Sequence, residues 1–280
     1  MKTKTELLNE QQIRELKNKY FEYISTKKLP YVNFQLKLDD CTITVYDSKK
    51  VVYQGENIDE YLQLETIEIK EEAGSDEVGT GDYFGPVVVC AAYLNEENYQ
   101  YAKDIKANDS KQISDDTIRK IAPILMEKCT YSLLILDNVK YNNIHNSNNM
   151  NQIKAKMHNQ AYLHLKNKIG QLPKKCIIDQ FTPENLYYKY IQYEPNVIQN
   201  LHFETKAESK YISVAVASII ARYAFLKAWD KIEDHYQCSI PKGASNEVDS
   251  FAKKFVEKHG KEELYKIAKI HFKNTEKIGL

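Results

Sequence analysis

Two adjacent carboxylates, Asp76 and Glu77, stand directly before the run Val78-Gly79-Thr80-Gly81-Asp82-Tyr83-Phe84-Gly85-Pro86, which leads into a continuous apolar stretch. Hard divalent cations take oxygen ligands, and glycine lets a polymer backbone come close to them, so the pattern suits a metal acting on a phosphodiester. An isolated Asp-Glu pair is ordinarily a solvated surface or helix-capping feature, and the flanking glycines are what set this one apart. Two nucleotide-binding readings fail. Gly74 and Gly79 have the spacing of a Walker A loop, but Thr80 stands where that loop needs lysine. Gly79, Gly81 and Gly85 have one residue too many in the last gap for a dinucleotide fingerprint, and a strand follows where a helix should. No nucleotide cofactor is expected.

Two further acids sit where chemistry is often placed. Asp179 closes Cys176-Ile177-Ile178-Asp179-Gln180, at the end of a buried strand, where open α/β sheets hold their ligands; capping of the next helix is the bland alternative. Glu208 lies in Lys206-Ala207-Glu208-Ser209-Lys210, ahead of the small-residue helix Val214-Ala215-Val216-Ala217-Ser218-Ile219-Ile220-Ala221-Arg222. A carboxylate is favoured near a helix N-terminus in any case. His145, His158, His164, His202, His235, His259 and His271 show no ligand spacing with these acids and read as structural or surface residues. The five cysteines are scattered and never form a Cys-x-x-Cys pair, as for buried residues in a reducing compartment.

The elements that must position these groups divide into two styles. Leu7, Leu8, Ile13, Leu16, Tyr20, Phe21 and Ile24 recur at helical spacing, and Lys27-Lys28-Leu29-Pro30 ends that pattern. Period-two alternation then marks half-buried antiparallel strands at residues 32–38, 42–46 and 51–53, joined by Asp39-Asp40 and Asp47-Ser48-Lys49-Lys50. Residues 1–65 thus form a small α+β domain whose outward sheet face would carry Tyr31, Asn33, Gln35, Lys37, Thr44 and Tyr46. That mixture suits sugar and phosphate, or an ordinary solvated surface.

Residues 66–280 read as α/β with a mixed sheet: strands at 67–70, 86–94, 131–136 and 176–178, and helices at 114–128, 151–168 and 209–235. The lysine-rich C-terminal segment is locally basic, although a solvated helical surface is the commoner reading of such a run. At 280 residues, two unequal domains are accommodated comfortably. Lys plus Arg equals Asp plus Glu at 39 each, so a nucleic-acid footprint would have to be local. No stretch reads as approaching the roughly 20 apolar residues of a membrane span, and the charged N-terminus lacks a signal core. A cytoplasmic protein without a membrane partner is expected.

Taken together, these segments resemble the type 2 ribonucleases H. The resemblance rests on the Asp76 to Pro86 motif, the loop Asp109-Ser110-Lys111, Asp179, and Lys206-Ala207-Glu208 leading into Ala217-Ser218-Ile219-Ile220-Ala221-Arg222, in that order over most of residues 66–240. Glu208 in place of the usual fourth aspartate, Gly79-Thr80-Gly81 in place of Gly-Arg-Gly, and the N-terminal extension make the chain similar to the ribonuclease HIII kind, whose extension is TATA-binding-protein-like. The resemblance implies a ribonuclease H-like catalytic domain and an endoribonuclease that cuts the RNA strand of RNA–DNA hybrids, leaving 3′-hydroxyl and 5′-phosphate ends.

It further implies Mg2+ or Mn2+ held by Asp76, Glu77, Asp179 and Glu208, with Asp76 bridging two ions, Glu77 and Glu208 on one side and Asp179 on the other. Gly79, Thr80 and Gly81 would meet ribose 2′-hydroxyls, and Ser110 and Lys111 a phosphate, unless the latter pair is a structural turn. A monomer is the expectation. Two other functions stay open: a resolvase or DNA nuclease on the same fold, and a nucleic-acid-binding protein whose catalysis has decayed.

Overall fold

The computed structural model describes residues 2–8, 10–27, 29–61, 71–104 and 113–280, which fall into two units, Met1–Ile69 and Lys70–Leu280. The first unit runs β1 (Lys2–Leu7), α1 (Glu10–Lys19), β2 (Val32–Lys37), β3 (Cys41–Tyr46), β4 (Lys50–Gly55) and α2 (Ile58–Tyr61). Its strands form an antiparallel sheet in the order β1-β4-β3-β2. Alternation sends Phe34, Leu36, Ile43, Val45, Val51 and Tyr53 to one face, where they pack with Leu8, Leu16 and Ile58. On the other face Gln35, Thr44, Val52 and Thr5 form one cross-strand row, and Lys37, Thr42, Gln54 and Thr3 the next.

Two expectations change here. Leu7 and Leu8 do not begin the helix: Leu7 ends edge strand β1, and α1 starts only at Glu10. The strand escapes detection because Lys-Thr-Lys-Thr-Glu has no apolar alternation, the charged composition that protects a sheet edge. Thr44 is on the expected face but is buried, with Gln35 Nε2 donating to its Oγ1 at 2.9 Å.

The second unit contains β5 (Glu72–Val78), β6 (Val87–Leu94), α3 (Glu96–Asp104), α4 (Asp115–Lys128), β7 (Thr130–Leu136), α5 (Asn138–His145) and α6 (Met150–Ile169). There follow β8 (Lys175–Asp179), α7 (Glu184–Ile191), β9 (His202–Glu204), α8 (Ile212–Tyr236), α9 (Asn246–His259), α10 (Lys261–Ile267) and α11 (Lys273–Lys277). The sheet order is β7-β6-β5-β8-β9; β7, β6 and β5 are antiparallel, and β8 and β9 run parallel to β5. This is the expected mixed sheet flanked by helices. The strand read at residues 67–70 lies outside the described residues.

Helices cover both faces, so the central strands are apolar on both. Val88, Cys90, Ala92 and Leu94 of β6 pack with α4, α8 and α9, whereas Val87, Val89 and Ala91 pack with α6 and α7. Helix α8 lies hard against β5: a Cβ on Gly74 would come within 2.3 Å of the Val214 nitrogen, so only glycine allows the approach. Glu72 Oε1 accepts the Ser213 amide at 2.9 Å and thereby caps the first turn of α8 from the strand. Contrary to the expectation from composition, α8 is long and apolar enough to cross a membrane, but most of it is buried in this unit as a core helix. All five cysteines are free thiols.

Candidate active site

Consecutive strand residues point to opposite sides of a sheet, and this splits the acidic pair. Asp76 faces α8 and Glu77 faces α6. Asp76 is buried, with its Oδ1 accepting the Glu77 amide at 2.7 Å and the Ser218 hydroxyl of α8 donating to the carboxylate. Burial, then the charges of Glu77 and Asp179, push its carboxyl up to about 8 against those two hydrogen bonds.

Strand β8 brings the second aspartate alongside. Ser75 pairs with Ile178, so the next residues, Asp76 and Asp179, are neighbours across the parallel strands. Asp179 Oδ1 accepts the Ala207 amide at 2.9 Å. It therefore does not cap α7, whose N-cap is Pro183. Lys206, left-handed at φ 55°, turns the chain into a short 3-10 segment, Ala207–Ser209, that places Glu208 beside Asp179 and buries it at 2% exposure. Burial, opposed by the Ala207 amide but reinforced by the Glu208 carboxyl, raises Asp179 to about 6. Asp76, Asp179 and Glu208, far apart in sequence, are thus brought to one end of the sheet on its α8 side.

Glu77 is held from the other side by two residues the sequence did not point to. Lys154 Nζ donates to Glu77 Oε1 at 2.8 Å, and His158 Nε2 lies 2.9 Å from Oε2. An ionised carboxylate only accepts, so Nε2 carries a proton, and Nδ1 faces Ser75 Oγ at 2.8 Å. His158 stacks on Phe181 at 5.3 Å, and Lys154 Nζ sits 4.0 Å from the centroid of that ring. Burial disfavours the Glu77 charge, but His158 and Lys154 outweigh it and hold the carboxyl below its usual value. Of the two expected roles, structural or surface, His158 therefore has the structural one: it is fully buried and in contact with Glu77. Its separation of four from Lys154 puts both on one face of α6, the sole sequence signal that could have found them.

A cleft of ≈ 400 Å³ opens beside Glu77, running along Gly79, Thr80 and Gly81 to Ser218 and Arg222 of α8. Gly79 has φ +89°, and a Cβ there would lie 2.2 Å from the Pro86 carbonyl oxygen, so the turn itself requires glycine. Gly81 differs, since a Cβ on it would meet nothing within 4 Å. At the cleft wall Arg222 Nε pairs with Asp115 at 3.0 Å, and Lys242 Nζ reaches the same carboxylate at 2.8 Å, leaving two cations on one acid. Ser110 and Lys111 lie outside the described residues.

As a donor set the acids fit a hard divalent cation: buried carboxylates raise one another's pKa, a repulsion that such an ion relieves. Among the described residues, however, no group of three or more His, Cys, Asp and Glu side chains already stands in position to hold an ion. Both Glu77 oxygens are turned towards α6.

Comparison with known proteins supplies an independent observation. Residues 73–275 match the family described as Ribonuclease HII, and residues 6–71 match a domain of unknown function. The chain is 38% identical to the Ribonuclease HIII of Bacillus mycoides over 95% of its own length and 94% of the relative's. It is 36% identical to that of Listeria monocytogenes over 97% and 96%. Among solved structures, that of Bst-RNase HIII in complex with Mn2+ is 34% identical, with TM-score 0.73, and the match covers 99% of this chain and 98% of that one. The Aquifex aeolicus RNase H3 structure is 25% identical at TM-score 0.60, covering 95% and 99%.

Proposed function

The chain belongs to the ribonuclease HII family and resembles its ribonuclease HIII members over nearly its whole length, and from that membership we propose that it cuts the RNA strand of RNA–DNA hybrids at the carboxylate cluster of β5, β8 and the segment before α8. It is a ribonuclease H hydrolase. The observation that carries the site assignment is the convergence of Asp76, Asp179 and Glu208 on one side of β5, with Glu77 entering from the other.

Asp76, Glu77, Asp179 and Glu208 would hold Mg2+ or Mn2+, the latter being the ion in the Bst-RNase HIII complex. A metal held by these residues would supply Lewis-acid chemistry, lowering the pKa of a water and stabilising charge on a 3′ oxygen, as hydrolysis to 3′-hydroxyl and 5′-phosphate ends would require. The protein's part is to hold the ligands. The Ser218 hydroxyl fixes Asp76, the Ala207 amide fixes Asp179 beside Glu208, and Lys154 with His158 fix Glu77. Gly81, open where a side chain would fit, leaves room for the ribose-phosphate backbone, and the Thr80 hydroxyl and turn amides can meet 2′-hydroxyls. Arg222 at the cleft wall and Lys242, which both pair with Asp115, are the cations that could turn to a phosphate.

We assign the sheet face of the first unit to substrate binding, on the strength of its rows of threonine, glutamine and lysine. The free cysteines suit the reducing cytoplasm.

Cleavage of a labelled RNA–DNA hybrid with Mg2+ and with Mn2+ tests the reading. The wild-type chain is expected to produce 3′-hydroxyl ends, and Asp76→Asn to lower the rate by about a hundredfold or more while remaining folded. Near wild-type cleavage by Asp76→Asn removes the site assignment. Tight hybrid binding without cleavage would instead identify a decayed enzyme, and cutting of branched DNA alone a resolvase.

A further inference from the structure

Lys269 lies within the lysine-rich C-terminal segment, yet it has no exposed surface. Its Nζ donates to three main-chain carbonyls, those of Asp82 at 2.8 Å, Gly85 at 2.6 Å and Phe84 at 3.3 Å. The same residue's amide donates to the Tyr83 carbonyl at 2.8 Å, Phe84 and Ala268 form an antiparallel bridge, and the Gly85 amide reaches Ile267 O at 2.8 Å. From the preceding connection, Gly243 O accepts the Tyr83 amide at 2.9 Å, and the Gly243 amide donates to Asp82 Oδ1 at 2.7 Å. Residues 82–85 are the return limb of the turn that starts at Gly79. Every residue of that limb is tied down by the C-terminal region.

An ammonium group is costly to bury, and among the described residues no salt bridge of Lys269 with a carboxylate offsets the cost. Burial draws Lys269 down to about 7, with the charge of Asp82 opposing. Three carbonyl oxygens facing Nζ match the three protons of an ammonium and exceed the two of a neutral amine. A methionine would fill the space without the desolvation penalty, so what lysine adds is a cation that gathers carbonyls from successive residues into one fixed shape.

We propose that Lys269 is a positioning residue whose ammonium acts as a built-in cation at the base of the glycine turn, setting where Thr80 and Gly81 meet the RNA strand. The inference rests on the reading of that turn as the RNA contact. The C-terminal segment then serves the active site from behind, without touching the substrate through this residue.

Full-length Lys269→Met and Lys269→Ala test it. In Lys269→Met, amide exchange is expected to quicken at residues 79–85 and not at Asp179 or Glu208. KM for the hybrid should rise about tenfold, the equivalent of one lost charged hydrogen bond, with kcat changed far less. In Lys269→Ala, propylammonium supplies the missing three carbons and charge, and should restore both exchange protection and KM; 1-propanol should not. Wild-type exchange and KM in Lys269→Met, or equal rescue by propanol, overturns the proposal. If Lys269→Ala does not fold alone, refolding that depends on propylammonium and not on propanol supports it, and failure with both overturns it. Failure of the wild-type chain to cut the hybrid would sink the functional reading instead, while the exchange data still decide whether Lys269 shapes the turn.

Discussion

Gly79 and Gly81 stand two residues apart in one turn, yet the fold asks different things of them. Gly79 occupies a left-handed conformation, and its missing Cβ is needed because the Pro86 carbonyl oxygen fills the space. Gly81 has an open front: among the described residues a Cβ on it would meet nothing within 4 Å, so packing does not require glycine there, and on the proposed reading the substrate passing through the cleft does. Gly79→Ala is expected to destabilise the chain by about 2 kcal/mol or more, through backbone strain and overlap. Gly81→Ala should leave thermal stability within about 0.5 kcal/mol, yet lower kcat/KM for the hybrid by about tenfold through displaced substrate. Melting curves beside steady-state cleavage separate the two effects. A Gly81→Ala enzyme with full activity would show that the substrate backbone does not pass there. The glycines were legible as a motif, but a one-letter pattern cannot distinguish a residue the turn requires from one the ligand requires.

At the scale of elements, the helices were more legible than the strand that matters most. Pattern places helices at 114–128 and 151–168, and α4 and α6 lie at Asp115–Lys128 and Met150–Ile169. Strand β5 gives no such signal, because Glu72, Gly74, Ser75, Asp76 and Glu77 make it polar: it spends its side chains on the proposed carboxylate site and on close packing with α8. Without β5, the opposite orientations of Asp76 and Glu77 cannot be derived, nor the need for α6 to supply partners to Glu77. Lys154 accordingly reads as an ordinary helix lysine. In the fold it shares with His158 the pairing of the largely buried Glu77 carboxylate, and breaking such a pair from one side is costly, on the order of 3 kcal/mol. Lys154→Met is thus expected to melt lower than wild type without metal. Because the variant adds a net negative charge next to the acidic cluster, Mn2+ should bind several-fold tighter and raise its melting temperature by more than that of wild type. Calorimetric titration with Mn2+ and paired melting curves check this; equal metal stabilisation of both proteins would mean that Lys154 does not compete with the ion for Glu77.

On the scale of the whole molecule, the chain holds two separately cored units, and the proposed reading puts the chemistry in the second and an additional substrate contact in the first. Leu16, Leu36, Ile43 and Tyr53 close the core of the first unit, while the two cores flanking the larger sheet draw all their residues from the second. The four acids, and the Ser218, Ala207, Lys154 and His158 groups that hold them, all belong to Lys70–Leu280. A chain beginning at Lys70 should consequently fold, bind divalent metal and retain kcat within a few-fold. It loses the sheet rows of Thr3, Thr5, Gln35, Lys37, Thr42 and Gln54. Two linked contact surfaces bind a long hybrid more tightly than either alone, so removal of one should weaken binding by about tenfold or more and flatten its salt dependence where Lys37 contributes. Filter binding or fluorescence anisotropy on a hybrid of several helical turns, repeated over a salt series and set beside single-turnover cleavage, measures affinity and chemistry separately. Unchanged affinity in the truncated chain would remove the binding role from the first unit, and a collapse of single-turnover rate at saturating hybrid would place part of the catalytic apparatus there.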